Sequence, residues 1–344
     1  MKRIYLLTTI LFLTCSNITA QTTIIADLGF PDGIALNEND LYIAEYAEGR
    51  ISKIDITATT PTATDVVTGL IQPTAIVLNG NELYIAEGYG NKISKIDITD
   101  TTPTAIDVVT GLDFPEGMLL KGNELYIAES DRISKIDITD TTPTAIDVVT
   151  GLSYPVGLAL KGNILYIAEN TANKISKIDI TAITPTVTDV QMGLDRPRGL
   201  VLNGNQLYIA EFRGNKISKI DITAATPTPT DVVTVDFPEN MIIDNNILYI
   251  TESFNGRVSK LNLSALSLSD LDHEKVQISP NPAIEFIQVS GITVKEKFQI
   301  YTVLGTKIKN GIINHEKEID VRKFPKGLYF LKFENGNAFK FEKK

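Results

Sequence analysis

Along most of this chain, short apolar runs alternate with polar breaks built from Gly, Asn, Pro and Thr, and the alternation is itself periodic. The phrase Leu-Tyr-Ile-Ala-Glu, Leu-Tyr-Ile-Thr-Glu in its last copy, occurs six times, with tyrosines at Tyr42, Tyr84, Tyr126, Tyr166, Tyr208 and Tyr249. The steps are 42, 42, 40, 42 and 41 residues. In the second copy, residues 74–78 form an apolar run ended by the turn Asn79-Gly80-Asn81, and residues 83–87 form the next, broken at Gly88-Tyr89-Gly90-Asn91. Residues 93–98 follow, then a Thr/Pro loop through Pro103, then a last run over 105–110. Short runs bounded by Gly, Asn and Pro at this density predict an antiparallel four-stranded meander in every copy. Runs such as LYIA, apolar throughout rather than alternating, predict sheets packed on both faces.

A period of about 40 to 50 residues made of such strands is the mark of a propeller-type array. The last copy ends after Leu263 without a fourth run, and the missing piece stands at residues 22–29 as Thr-Thr-Ile-Ile-Ala-Asp-Leu-Gly. An open sheet edge is an aggregation hazard. Completing the sixth sheet with the N-terminal segment removes it. The expected class is therefore all-β: a six-bladed β-propeller over residues 21–265, closed by the N-terminal strand, followed by a linker (266–275) and a small Ig-like β-sandwich (276–344).

The copies also resemble the NHL repeat. The resemblance rests on a Pro-x-Gly-Ile-Ala-Leu entry, a Gly-Asn-x-Leu-Tyr-Ile-Ala-Glu core and the third-strand motif at Asn91-Lys92-Ile93, Asn173-Lys174-Ile175 and Asn215-Lys216-Ile217. Where that family usually has Asp after its core strand, this chain has Glu45, Glu87, Glu129, Glu169, Glu211 and Glu252. The resemblance covers roughly residues 24 to 263 and implies architecture; NHL-type propellers include adhesive, sensory and enzymatic proteins.

Both ends of the chain read as addresses. Lys2 and Arg3 precede a mostly apolar stretch over 4–14, and Ile18-Thr19-Ala20 suits cleavage before Gln21, so residues 1–20 are expected to be an export signal. Its apolar stretch is too short to span a bilayer, and no transmembrane helix is expected in the mature chain. The single cysteine, Cys15, falls inside that signal, and Phe12-Leu13-Thr14 before it is a poor match to a lipidation box. At the other end, residues 276–344 hold apolar runs separated by Gly, Asn and Pro, the pattern of a small antiparallel sandwich. This tail is similar to the type A sorting domain of type IX secretion, through Ser279-Pro280-Asn281-Pro282, Ile300-Tyr301 with Gly305, Gly327-Leu328-Tyr329-Phe330-Leu331 and the basic end at Lys343-Lys344. The resemblance implies that residues 276–344 engage the type IX secretion machinery, that the tail is clipped, and that the remainder is secreted or attached to the outer surface.

Charge and composition then narrow the chemistry. Residues 21–269 carry 17 Lys and Arg against 32 Asp and Glu, a net of −15, whereas 270–344 carry 13 against 10, a net of +3. Such an acidic body lacks the Lys/Arg clusters that phosphate backbones require, which argues against a nucleic-acid partner. Residues 21–269 contain no histidine and no cysteine; the two histidines are His273 and His315. A Ser-His-Asp arrangement and a histidine zinc site are thereby excluded from the repeats. Carboxylate, Asn, Tyr, Lys and Arg remain, which suits oxygen-ligand Ca²⁺ better than any other metal.

The six repeated glutamates answer a need shared by every copy, so a structural bond to an adjacent turn is expected of them rather than catalysis. Lys53 and Asp55, with their equivalents, lie two apart on one strand face and are expected to form a repeated ion-pair ladder. Asp100-Thr101-Thr102 and Asp140-Thr141-Thr142 resemble a short O-glycosylation signal, although plain solvated loops account for them better. Function is better sought where the copies disagree. After the entry proline stand Asp32, Thr74, Glu116, Val156, Arg198 and Glu239, and after the repeated glutamate stand Tyr46, Tyr89, Asp131, Asn170, Phe212 with Arg213, and Phe254. In a propeller both loops lie on one face, and variation confined to one face marks a binding surface. The ligand-face candidates are Asp32, Tyr46, Tyr89, Glu116, Asp131, Arg198, Phe212, Arg213, Glu239 and Phe254. The aromatic residues suit a protein, peptide or glycan ligand, and non-catalytic recognition or adhesion is the expected role. The alternative is a Ca²⁺-dependent lactonase-type hydrolase, the metal on the axis between Asp32, Glu116 and Glu239; otherwise no cofactor is expected.

Overall fold

The structure, a computed structural model, describes residues 21–263, 277–290, 296–303, 305–313, 318–333 and 338–344. The expected signal, Cys15, the linker and both histidines lie outside the described residues. Two compact units are found, and Gln21–Asn262 make up the larger.

In the larger unit, β1 (Thr22–Ile25) stands alone in sequence and the first full meander follows as β2 (Pro31–Asn37), β3 (Asp40–Glu45), β4 (Arg50–Asp55) and β5 (Thr64–Thr68). β6–β9 (73–110), β10–β13 (117–150), β14–β17 (155–192) and β18–β21 (197–234) repeat that order as four more four-stranded sheets. The sixth sheet has the order β1, β24 (Arg257–Asn262), β23 (Ile247–Glu252), β22 (Pro238–Asp244). Thr22 lies opposite Lys260 and Thr23 opposite Ser259, so the N-terminal strand is the sixth sheet's outer strand, as the sequence predicts. Each sheet's first strand touches the first strand of the next, and β22 touches β2, which closes the ring around an axis lined by those six strands.

The run LYIAE is apolar throughout because its two faces serve two different cores. Tyr42 and Ala44 pack with Leu83, Ile85 and Ile96 of the next sheet, while Leu41 and Ile43 pack with Tyr249 and Val258 of the sheet behind. The same sharing recurs between the second and third sheets, the third and fourth, and the fourth and fifth. Burying a Leu or Ile side chain is worth about 1.5–3 kcal/mol, so each sheet draws stability from both neighbours. Near the axis, glycine lets the first strands approach: a Cβ on Gly117 or Gly157 would run into the carbonyl of Val156 or Arg198 on the following sheet.

The repeated glutamates are structural anchors. Glu87 accepts from the Ile71 amide at 2.7 Å and from Ser94 Oγ at 2.7 Å, and Glu211 accepts likewise from the Asp195 amide and Ser218. Glu45 takes the Gly29 amide and a two-point bond from Arg50. Glu45, Glu87, Glu129, Glu169 and Glu211 thus tie the loop entering their sheet to the third strand, whereas Glu252 accepts from Gln21, Arg257 and Ser259. The expected Lys–Asp ladder is not what forms. Lys53 bonds Asp40 at 2.6 Å, and Lys95 and Lys135 bond Glu82 and Glu124 in the same way. The Asp55 carboxylate instead accepts from the amide and hydroxyl of Thr57. A lysine two residues away on the same strand points parallel to the aspartate, whereas the carboxylate opening the neighbouring strand lies across the pair.

The smaller unit contains a sheet of β25 (Gln277–Ser279), β26 (Phe286–Ser290) and β29 (Glu318–Asp320). A second sheet has the order β28 (Lys307–Ile313), β27 (Glu296–Thr302), β30 (Gly327–Phe333), β31 (Ala338–Lys343). Ile287 and Ile319 of the first share one core with Phe298, Ile300, Leu331 and Phe341 of the second, which makes a two-layer sandwich.

Candidate functional site

Five sheets of the ring begin at a proline and in the third Pro115 stands two residues before β10; the residue before that proline has a positive φ in all six: Phe30 (51°), Gln72 (52°), Phe114 (50°), Tyr154 (53°), Arg196 (54°) and Phe237 (48°). The left-handed region is unfavourable for bulky side chains, and a following proline disfavours helical backbone further. Bonds from neighbouring loops hold it in place. Tyr46 donates its amide to the Phe30 carbonyl, Asn170 to that of Tyr154 and Phe212 to that of Arg196. After the proline, β2, β18 and β22 carry a bulge against their partner strands at Asp32-Gly33, Arg198-Gly199 and Glu239-Asn240. Bulges re-aim side chains, and these sit where the first strands open onto one end of the axis.

The result is a mouth of about 320 Å³ lined by Asp32, Glu116, Arg198 and Glu239 inside a collar of aromatic rings. It leads into an axial channel of about 270 Å³, apolar deeper down, and Asp32, Glu116 and Glu239 line both spaces. Two arcs of rings form the collar. Tyr89 meets Phe114 edge-on at 4.8 Å, and Phe114 lies 6.4 Å from Tyr154. Phe30 meets Phe254 at 5.4 Å, and Phe254 meets Phe237 at 4.8 Å and Phe212 at 5.9 Å. Tyr46 completes the lining. Apart from the six repeated tyrosines, residues 21–262 contain eight aromatic residues, and these are the eight. Tyr89 is 63% exposed and Phe254 57%, so the collar offers open ring faces.

Charge inside the mouth is unbalanced. Arg198 pairs with buried Glu239 and lays its guanidinium 4.9 Å from the Phe212 ring centre; Ser253 donates to the other Glu239 oxygen at 3.1 Å. Tyr154 donates to Glu116 Oε1 at 2.5 Å. The Asp32 carboxyl, part-exposed at the channel wall, has no hydrogen-bond donor among the described residues. Dense surrounding protein pushes its pKa well above the usual carboxylate range, Glu116 adds to the rise, and Arg198 opposes it. Burial raises Glu116 as well, against Arg198 and the Tyr154 bond. Burial likewise raises the Tyr46 phenol, with Tyr89, Glu116 and Asp32 contributing.

Eight of the ten candidate residues therefore line one space. Asp131 and Arg213 do not: exposed Asp131 bonds Arg132 at 3.0 Å, and the Arg213 guanidinium lies 5.7 Å from the Phe212 ring centre. Asp131 lies in a loop two residues shorter than its equivalents, with only Ser130 and Asp131 between Glu129 and Arg132. Phe30, Phe114, Tyr154 and Phe237 escape a comparison restricted to the residue after the entry proline. Their recurrence just before it is the signal that finds them. As a Ca²⁺ centre the mouth does not fit, since no group of three or more His, Cys, Asp or Glu that could hold a metal ion is found among the described residues. Glu239 is already committed to Arg198.

Residues 277–344 match the secretion system C-terminal sorting domain family. The chain thus carries a type IX sorting tail and is a secreted or outer-surface protein. No curated protein matches the sequence. Among solved structures, a luciferin-regenerating enzyme aligns with a TM-score of 0.60 at 12% identity, covering 71% of this chain and 95% of that one. A candidate gluconolactonase gives 0.59 at 10% identity over 70% and 91%. An inactive variant of virginiamycin B lyase from Staphylococcus aureus, with quinupristin, gives 0.51 at 18% identity over 79% and 94%. At these identities the likeness establishes the propeller fold alone. Among the described residues no helix is long and apolar enough to cross a membrane.

Proposed function

We propose that the ring is a non-catalytic recognition module, exported by type IX secretion, that binds its ligand at the aromatic mouth. The observation that carries this reading is the gathering of all eight non-repeated aromatic residues of the ring unit at one end of the axis, with open faces on Tyr89 and Phe254. Aromatic side chains dominate binding energetics because they bury large area at low entropic cost. We read the repeats as NHL-like and the tail sandwich as Ig-like; the Pro-x-Gly entry and the shared core of the two tail sheets support this. A protein, peptide or glycan ligand fits such a collar.

The test is an array of outer-surface peptides and glycans probed with the full chain, followed by Tyr46→Ala and Phe212→Ala. Binding that both variants weaken at least tenfold supports the reading, since a buried aromatic anchor is worth about 2 kcal/mol or more. Binding indifferent to both sinks it. The lactonase-type alternative makes a separate demand: calcium should raise the unfolding midpoint through linkage, and lactone hydrolysis should depend on Asp32 and Glu116.

A further inference from the structure

The carboxyls inside the mouth say more about the ligand than the rings do. Four charged side chains line it, and only one is a cation. That cation, Arg198, is already paired with Glu239. Glu116 has a single neutral donor, the Tyr154 hydroxyl, and Asp32 has none among the described residues. The two acids are within electrostatic reach of each other, and both are held toward their protonated forms by burial. Around them stand the negative faces of aromatic rings, which attract cations and add about 0.5–2 kcal/mol where water is excluded. Arg198 over Phe212 shows that this collar already accommodates a guanidinium.

Resting on the recognition reading above, we propose that the mouth takes an organic cation, an ammonium or guanidinium group on a slim chain, held between Asp32 and Glu116 inside the aromatic collar. The incoming cation supplies the donors that Asp32 lacks and neutralises the surplus acid. A neutral polyol could donate hydrogen bonds but would leave the charge uncompensated. Binding favours ionised carboxyls and so releases protons, and affinity rises with pH as Asp32 and Glu116 ionise. The other groups facing the site are Glu239 and Arg198, which remain a pair, the Tyr89 phenol, and the Tyr46 and Tyr154 phenols, which burial keeps neutral.

The experiment is calorimetric titration of the full chain with agmatine at neutral pH, with 1-pentanol as a neutral comparison, in two buffers of different ionisation enthalpy. Saturable binding of agmatine with proton release is expected, and none of pentanol. Asp32→Asn and Glu116→Gln should each weaken it about tenfold, the loss of one charge contact worth about 1.4 kcal/mol. Glu38→Gln, in the turn at the opposite end of the first sheet, should leave it unchanged. Asp32→Asn replaces a side chain that no hydrogen bond holds, so its folding is secure, and unfolding midpoints monitor Glu116→Gln. Pentanol binding as well as agmatine, Asp32→Asn binding undiminished, or no saturation at millimolar agmatine would each overturn the proposal. If a peptide or glycan ligand depends on Tyr46 and Phe212 yet agmatine does not compete with it, the cation inference falls and the recognition reading stands.

Discussion

Tyr154 donates its hydroxyl to Glu116 from the next sheet of the ring, 2.5 Å away. The bond joins the residue before one entry proline to the residue after another, and so fixes the collar to the charged floor it surrounds. Tyr154→Phe removes the only hydrogen-bond donor, among the described residues, to a carboxyl that is 6% exposed. A bond to such a group is worth about 1.5–3 kcal/mol. The variant should lose stability of that order in denaturant unfolding, and Glu116 should titrate still higher.

Arg198 and Glu239 form a second polar link between neighbouring sheets at the mouth. Removing one partner of a buried pair leaves an uncompensated charge, at a cost of about 3 kcal/mol. Arg198→Met should therefore destabilise strongly. Arg198→Met combined with Glu239→Gln should recover most of the loss, and thermal unfolding of the four proteins tests the cycle.

Raised carboxyl pKa values give stability a pH slope of definite sign. Asp32 and Glu116 bind protons more tightly folded than unfolded. Their contribution is fully present below the unfolded value, about 4, and is lost as pH rises through the folded values. Urea unfolding should show stability falling across that window, and Asp32→Asn should flatten the slope.

Asp27 adopts φ 63° where the equivalent residues of four other sheets are Gly69, Gly111, Gly151 and Gly193, with φ between 78° and 82°. Its side chain is exposed. Asp27→Gly should stabilise the ring by about 0.5–1 kcal/mol by relieving left-handed strain, read as a raised unfolding midpoint.

Gly157→Ala should do the reverse. Its Cβ would strike the Arg198 carbonyl and stand 3.0 Å from the Leu200 amide nitrogen, both backbone atoms. Overpacking of this kind costs about 1–3 kcal/mol. Because Arg198 would be displaced, ligand affinity should fall along with the midpoint.

The ring was legible in the chain because its signal is repeated: one LYIAE run with two apolar faces is ambiguous, but six at a fixed spacing demand mutual packing. Closure was legible from the absent fourth run after Leu263. The charged floor was legible too, since Asp32, Glu116, Arg198 and Glu239 interrupt an otherwise constant motif. Half the collar was not. Phe30, Phe114 and Tyr154 face the mouth, and Phe237 backs Phe212 and Phe254, through a left-handed backbone before proline, a conformation that local preference disfavours and the surrounding loops impose. The lysine ladder misled for a related reason: spacing along one strand says nothing of which carboxylate the adjacent strand brings across.

The pairing of Thr22 with Lys260 sets the order of assembly. Residues that emerge first must wait, unpartnered, for a strand made more than two hundred positions later, and loop-closure entropy is spent before that contact repays it. The toroid consequently cannot lock until Lys260 is available to pair with Thr22. The circle shuts only when nearly all of the repeat region is available.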